Sequence, residues 1–211
     1  MSVNRKAYIV GLTGGIASGK SEAAKHLASI GARCIDADAI SHMMTAPGGP
    51  LLPALREAFG DEVFHEDGTL NRRALGDVVF NDPMKRRLLD SVTHPAIQKA
   101  MMDDVEKANE EGVAIVILNV PLLFETGMDA LCDETWLISL DYDKQLERLM
   151  ERDDLTKEQA KARIESQMPL EEKESHATVI IDNRRSIDKL KNELTSLYNT
   201  LEKRVSRLEN E

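Results

Sequence analysis

Ile9-Val-Gly-Leu-Thr-Gly-Gly-Ile-Ala-Ser-Gly-Lys-Ser21 is the stretch that decides the fold of this chain. Tyr8 to Leu12 reads as a short buried strand that stops at a glycine-rich turn, and Ser21 to Ile30 reads as a helix. Between them, Gly14, Gly19, Lys20 and Ser21 satisfy G-x-x-x-x-G-K-[ST]. In a strand-loop-helix context this spacing makes a triphosphate cradle. Glycines let the backbone turn and bring bare N–H groups close to phosphate oxygens. Lys20 reaches the β- and γ-phosphates, the Ser21 hydroxyl can hold Mg²⁺, and the helix adds its positive N-terminal end. The expected nucleotide contacts are Gly14, Gly15, Ile16, Ala17, Ser18, Gly19, Lys20, Ser21 and Glu22. The loop is silent on the acceptor.

Further strands follow the same logic. Ala32–Asp36, Val113–Leu118 and Glu134–Leu140 read as strands, with Thr178–Ile181 as a fifth. Helical patterns separate them at Ser21–Ile30, Asp143–Arg152 and from about Ser186 onward. The alternation predicts an α/β fold, a five-stranded parallel sheet flanked by helices. Residues 46–112 break the rhythm with helical patterns at Leu51–Phe59, Arg72–Phe80, Pro83–Val92 and Pro95–Asn109. The predicted organisation is a nucleotide-binding core (1–45, 113–144 and 174–211), a helical insertion (46–112) and a charged helical lid (145–173). In the last helix Ile187, Leu190, Leu194, Leu197, Leu201 and Leu208 form a near-heptad stripe that Arg204 interrupts. It suits packing on the core or a dimer seam.

The chain has 211 residues, 42% of them hydrophobic and 30% charged, with a net charge of −10. That balance argues against a broad nucleic-acid surface, and no apolar run is long enough to span a bilayer. No secretory signal pattern opens the chain. Two cysteines, Cys34 and Cys132, are too few for a disulfide framework, so a reducing cytoplasm is expected.

Phosphoryl transfer also needs a base and cations that neutralise developing charge. Asp36 and Asp38 follow the second strand, and the carboxyl ends of strands line the ligand crevice of an open parallel sheet. If the strand persists, a spacing of two puts both carboxylates on one side, where Asp38 can act as base; the alternative is a helix N-cap. Asn119 stands after the third strand at the place of a Walker-B metal-binding carboxylate, and Glu125 lies near the same rim or is surface charge. Arg148 and Arg152 are one helical turn apart and face either transferring phosphates or Glu147 and Glu151 in a solvated face. Arg163 and Gln167 lie on the same flap. His94-Pro95 reads as a helix start and packing site ahead of a catalytic one.

With these residues assembled, the sequence resembles the dephospho-CoA kinases. The likeness runs through Gly11-Leu-Thr-Gly-Gly-Ile, Asp36-Ala-Asp38, Ala58-Phe-Gly60, Asp67-Gly68, Asn71-Arg72, Val79-Phe80 and His94-Pro95. It continues in Pro121-Leu-Leu-Phe-Glu125, Arg148, Arg152, Gln167 and Ile181-Asp-Asn183. The resemblance implies a P-loop kinase core with a substrate-binding insertion and a mobile lid, moving the γ-phosphoryl of ATP to the ribose 3′-hydroxyl of dephospho-CoA. It implies Mg²⁺ as cofactor, and ATP and dephospho-CoA as partners of a monomer or weak homo-oligomer, with neither nucleic acid nor membrane. Catalytic roles fall on Asp38, Lys20 and Arg148. Arg152 and Asn183 join the ATP contacts, and Asp36, Arg72, His94 and Glu125 fall on the acceptor side. The chain departs from the family pattern at Asn119, often acidic there, at Asn183-Arg-Arg-Ser186, which lacks a usual glycine, and at Glu22, commonly threonine.

Overall fold

A computed structural model describes residues 6–208; the expected core limits at residues 1 and 211 lie outside them. The strands are β1 (Tyr8–Gly14), β2 (Arg33–Asp36), β3 (Ile115–Asn119), β4 (Glu134–Ser139) and β5 (Val179–Asp182). They form one sheet in the order β2-β3-β1-β4-β5, and β1 pairs in parallel with both β3 and β4. Every residue of β3 is buried, as its unbroken Ile-Val-Ile-Leu run requires of a strand covered on both faces. The parallel α/β sheet read from the sequence is therefore the fold.

Nine helices accompany it among the described residues: α1 (Lys20–Ser29), α2 (Ala37–Met44), α3 (Leu52–Phe59), α4 (Arg72–Asn81), α5 (Pro83–Glu110), α6 (Tyr142–Asp153), α7 (Lys157–Glu165), α8 (Leu170–His176) and α9 (Ile187–Leu208). The chain divides into two compact units: residues up to Ile35 with those from Val105 onward, and Asp36–Asp104. The second unit is helical, like the expected insertion, but it takes in α2 and ends within α5, so its limits differ from 46–112.

In the first unit, α1 and α9 cover one face of the sheet. Val10, Leu12, Ile117, Trp136 and Ile138 meet Leu27 of α1 and Leu190, Leu194 and Leu201 of α9 in one buried cluster. Each such side chain contributes about 1.5–3 kcal/mol when fully removed from water. The leucine stripe of α9 is thus used on its own sheet, leaving Ile187 and Leu208 exposed. Arg204, which interrupts the stripe, stacks 5.4 Å over the Tyr8 ring and pairs with Glu134.

In the second unit, Ile40, Met44, Leu55, Phe59, Val63 and Leu75 are buried. Asn71 caps α4 by accepting from the Ala74 amide at 3.0 Å. The two helices expected at Pro83–Val92 and Pro95–Asn109 are one, with Pro95 inside α5. Proline removes one donor, and Thr93 Oγ1 and Ser91 Oγ bond back to carbonyls in the turn before it. Ile97, Met101 and Val105, spaced by four, are all buried, and that burial outweighs the break.

Among the described residues no helix is long and apolar enough to cross a membrane.

Candidate active site

The sheet order places β1 between two strands reached by opposite connections, and the carboxyl end of such a strand is where an open α/β sheet leaves a crevice. The loop from Gly14 to Gly19 emerges there and runs into α1 at Lys20. Its conformation is unusual: Ala17 has φ 59° and Gly19 φ 97°. A left-handed residue bearing a Cβ costs on the order of 1 kcal/mol, so the loop needs support.

Three bonds provide it. Ser18 N donates to Gly15 O at 3.0 Å within the loop. Ile16 N donates to Gln167 Oε1 at 2.9 Å, and Asn183 Nδ2 donates to Ser18 O at 2.7 Å. Asn183 is buried and lies where a Cβ on Gly19 would come within 2.3 Å of its Nδ2. Ser18 Oγ, buried without a hydrogen-bond partner among the described residues, fills the space over Gly14, where a Cβ would come within 2.4 Å. Asn183, expected beside the base of ATP, thus has a recorded task under the phosphate loop. Asn183→Ala is expected to leave the Ser18 carbonyl unpaired, costing about 1–3 kcal/mol of stability, and to weaken ADP binding. Urea unfolding and titration calorimetry measure the two effects.

Lys20 Nζ donates to Asn119 Oδ1 at 2.7 Å, from the last residue of β3. The carboxamide of Asn119 therefore orients the ammonium at the rim, a duty a neutral acceptor performs without neutralising the charge. Ser21 is exposed in the first turn of α1, and Glu22 beside it pairs with Lys25 at 2.8 Å. No group of three or more His, Cys, Asp or Glu fit to hold a metal occurs among the described residues. A single serine hydroxyl suits a divalent cation that arrives on phosphate oxygens.

The segment expected to form a lid is covered by three helices, α6, α7 and α8. Leu146 and Leu149 of α6 and Ala160 of α7 form a small core against which Ile16, Ala17, Met150, Leu155 and Ile164 pack, so the phosphate loop touches it directly. Thr156 and Gln159 close a capping box at the start of α7. Arg148 is half-buried on α6 and, among the described residues, takes part in no hydrogen bond or ion pair. Arg152 differs. It forks onto Asp153 at 2.8 and 3.1 Å, and Arg163 joins the same carboxylate at 2.8 Å. The hydrogen bond from Arg152 holds the Asp153 carboxyl below its ordinary range. Of the two alternatives for the arginine pair, pairing with Glu147 and Glu151 is not what holds Arg152, whose partner is this aspartate.

Arg184 forks onto Asp182 after β5, and that hydrogen bonding holds the Asp182 carboxyl at about 2. Glu125 accepts from Met168 N at 3.1 Å and lies 2.7 Å from Lys173 Nζ, whose side chain is 1% exposed. Sequence reading passed over Lys173, and also Gln145, which is buried under the loop where a Cβ on Gly15 would come within 2.2 Å of its Nε2. Neither carries a signal in the sequence, because each stands beside other polar residues in its helix. Cys132 packs under Gly11, and burial pushes its thiol up to about 12. Both cysteines are free.

In the helical unit Asp36 is the N-cap of α2, its Oδ1 accepting from Ala39 N at 3.0 Å. Asp38 stands exposed in the first turn. The expectation of two carboxylates side by side on a continuing strand is corrected: the strand ends at Asp36 and the helix begins at once. Arg72 Nη2 donates to Thr45 Oγ1 at 2.6 Å. His94 lies inside α5, 3.5 Å from Asp90, and does not start a helix.

A family model described as dephospho-CoA kinase matches residues 8–189. A dephospho-CoA kinase of Symbiobacterium thermophilum is 44% identical over 190 residues, 90% of this chain and 80% of the relative. One from Carboxydothermus hydrogenoformans is 40% identical over 189 residues, covering 90% and 92%. Among solved structures, a Thermus thermophilus protein superposes with a TM-score of 0.81 at 32% identity, covering 93% of this chain and 99% of that one. The dephospho-CoA kinase of Campylobacter jejuni gives 0.70 at 29%, covering 92% and 97%.

Proposed function

The chain belongs to the dephospho-CoA kinase family, and from that premise we propose how its residues divide the work. The reaction is transfer of the γ-phosphoryl of ATP to an alcohol, the ribose 3′-hydroxyl of dephospho-CoA, and it is the final step of coenzyme A synthesis. The observation that carries the reading is a phosphate loop at the switch point of the sheet, in a chain that matches the family from residue 8 to 189.

Lys20 and the amides of residues 14–21 bind the phosphates of ATP, and Glu22 closes the first turn behind them. Ser21 would hold Mg²⁺, which supplies charge neutralisation between the phosphates when bound. Asp38 orients the acceptor hydroxyl and takes its proton; it stands exposed in the first turn of α2, beside the cap that Asp36 fills. Arg148 neutralises the transferring phosphoryl, while Arg152, held on Asp153, shapes the lid around ATP. Asn183 serves ATP through the Ser18 carbonyl. The helical unit binds dephospho-CoA, with Asp36, Arg72 and His94 on the acceptor side, while Glu125, also expected there, is taken up by Met168 N and Lys173. The mobile part is the lid of residues 145–173, and its closure excludes water. The α9 stripe, packed on its own sheet, supports a monomer or weak homo-oligomer, and two free cysteines suit a reducing cytoplasm.

An acceptor panel tests this reading. ADP release is expected with dephospho-CoA and not with AMP, UMP or gluconate, and the new phosphate should map to the 3′ position. Activity with AMP alone would overturn it.

A further inference from the structure

The linker between α7 and α8 is held by polar bonds. On one flank it borders a cavity of about 380 Å³ whose lining includes Gly15, Gln145, Gln167, Met168, Leu170 and Lys173. Packing on that side therefore does not fix where the linker sits. Consecutive residues make the attachments: Gln167 Oε1 accepts from Ile16 N at 2.9 Å, and Met168 N donates to Glu125 Oε1 at 3.1 Å. The same Glu125 oxygen lies 2.7 Å from Lys173 Nζ, one turn into α8. Glu125 itself stands on firm ground, because Leu123 and Phe124 before it are buried and the Phe124 ring lies 5.5 Å from His176.

We infer that Glu125 is a positioning residue for ATP binding: it anchors the linker at Met168 so that the side chain of Gln167 meets the Ile16 amide and holds the phosphate loop in its binding shape. The loop is strained at Ala17, and with Gln167 out of place it relaxes. ATP must then reorganise it, which raises KM while leaving the bound state and kcat unchanged. The inference rests on the assignment of residues 14–21 to ATP.

A purely structural role is the competing explanation, since removing Glu125 alone strands the buried Lys173 ammonium. Glu125→Leu with Lys173→Met removes both charges at similar volume and separates the two. The expected result is a Tm near that of the native protein with KM for ATP raised about fivefold and kcat within twofold, the scale of one hydrogen bond. Gln167→Leu should raise KM for ATP equally in the native background and add nothing to the double variant. A native KM in the double variant, or additive effects of the two changes, would overturn the inference. Lys20→Met guards the premise: unchanged ADP affinity in that variant, measured by calorimetry, would sink the loop assignment instead.

Discussion

Lys20→Met is expected to lower kcat/KM by about a thousandfold, the scale of losing one preorganised charge aimed at developing negative charge. Methionine keeps most of the side-chain volume and removes the ammonium. The effect is expected to be this large because the group is placed before ATP arrives: Asn119 Oδ1 receives Lys20 Nζ at 2.7 Å from the end of a fully buried strand. A preplaced charge stabilises the phosphates without reorganising, which a freely rotating lysine does not achieve. Both KM for ATP and kcat should suffer, as the β- and γ-phosphates are contacted before and during transfer. Steady-state kinetics beside a thermal melt checks this. A loss under tenfold with an unchanged melt would mean that Lys20 does not contact the reacting phosphates.

Asp38→Asn is expected to reduce kcat by about 10² to 10⁴, the contribution of a positioned general base, with KM for ATP nearly unchanged. The structure makes this a clean test. Asp36, not Asp38, accepts the Ala39 amide, so the cap of α2 survives the change. The change removes one negative charge near a helix N-terminus, worth about 0.3–1 kcal/mol. Asp36→Ala is the contrasting variant, costing about 1 kcal/mol of stability through the lost cap. Near-native turnover in Asp38→Asn would show that the acceptor hydroxyl is deprotonated without it.

Sequence and structure agree where the signal is local. The phosphate loop announces itself by spacing, β3 by an unbroken apolar run, and α9 by a stripe whose leucines lie against the sheet. They diverge where a boundary depends on one residue. Asp36 could end a strand or continue it, and only the bond to Ala39 N decides, which removes the strand-based pairing of Asp36 with Asp38. Pro95 looked like a helix start because its local rule is strong, yet buried Ile97, Met101 and Val105 carry α5 through it. The supports of the loop were legible as residue types but not as roles. Gln167 and Asn183 stood out in the sequence, and their task appears only when distant segments meet. Lys173 gave no sign, because a lysine in a charged helix ordinarily faces water and this one is 1% exposed.

The two bonds that steady the phosphate loop from outside span 151 and 165 positions of sequence. During synthesis the chain emerges from its amino end, so the loop leaves the ribosome long before Gln167 and Asn183 exist. A nascent chain stopped short of those residues carries the whole glycine-rich signature and lacks what shapes it. Full nucleotide affinity is thus a late acquisition, gained only when Gln167 and Asn183 are both out. ATP then stabilises the finished enzyme by mass action more than it does the half-made one.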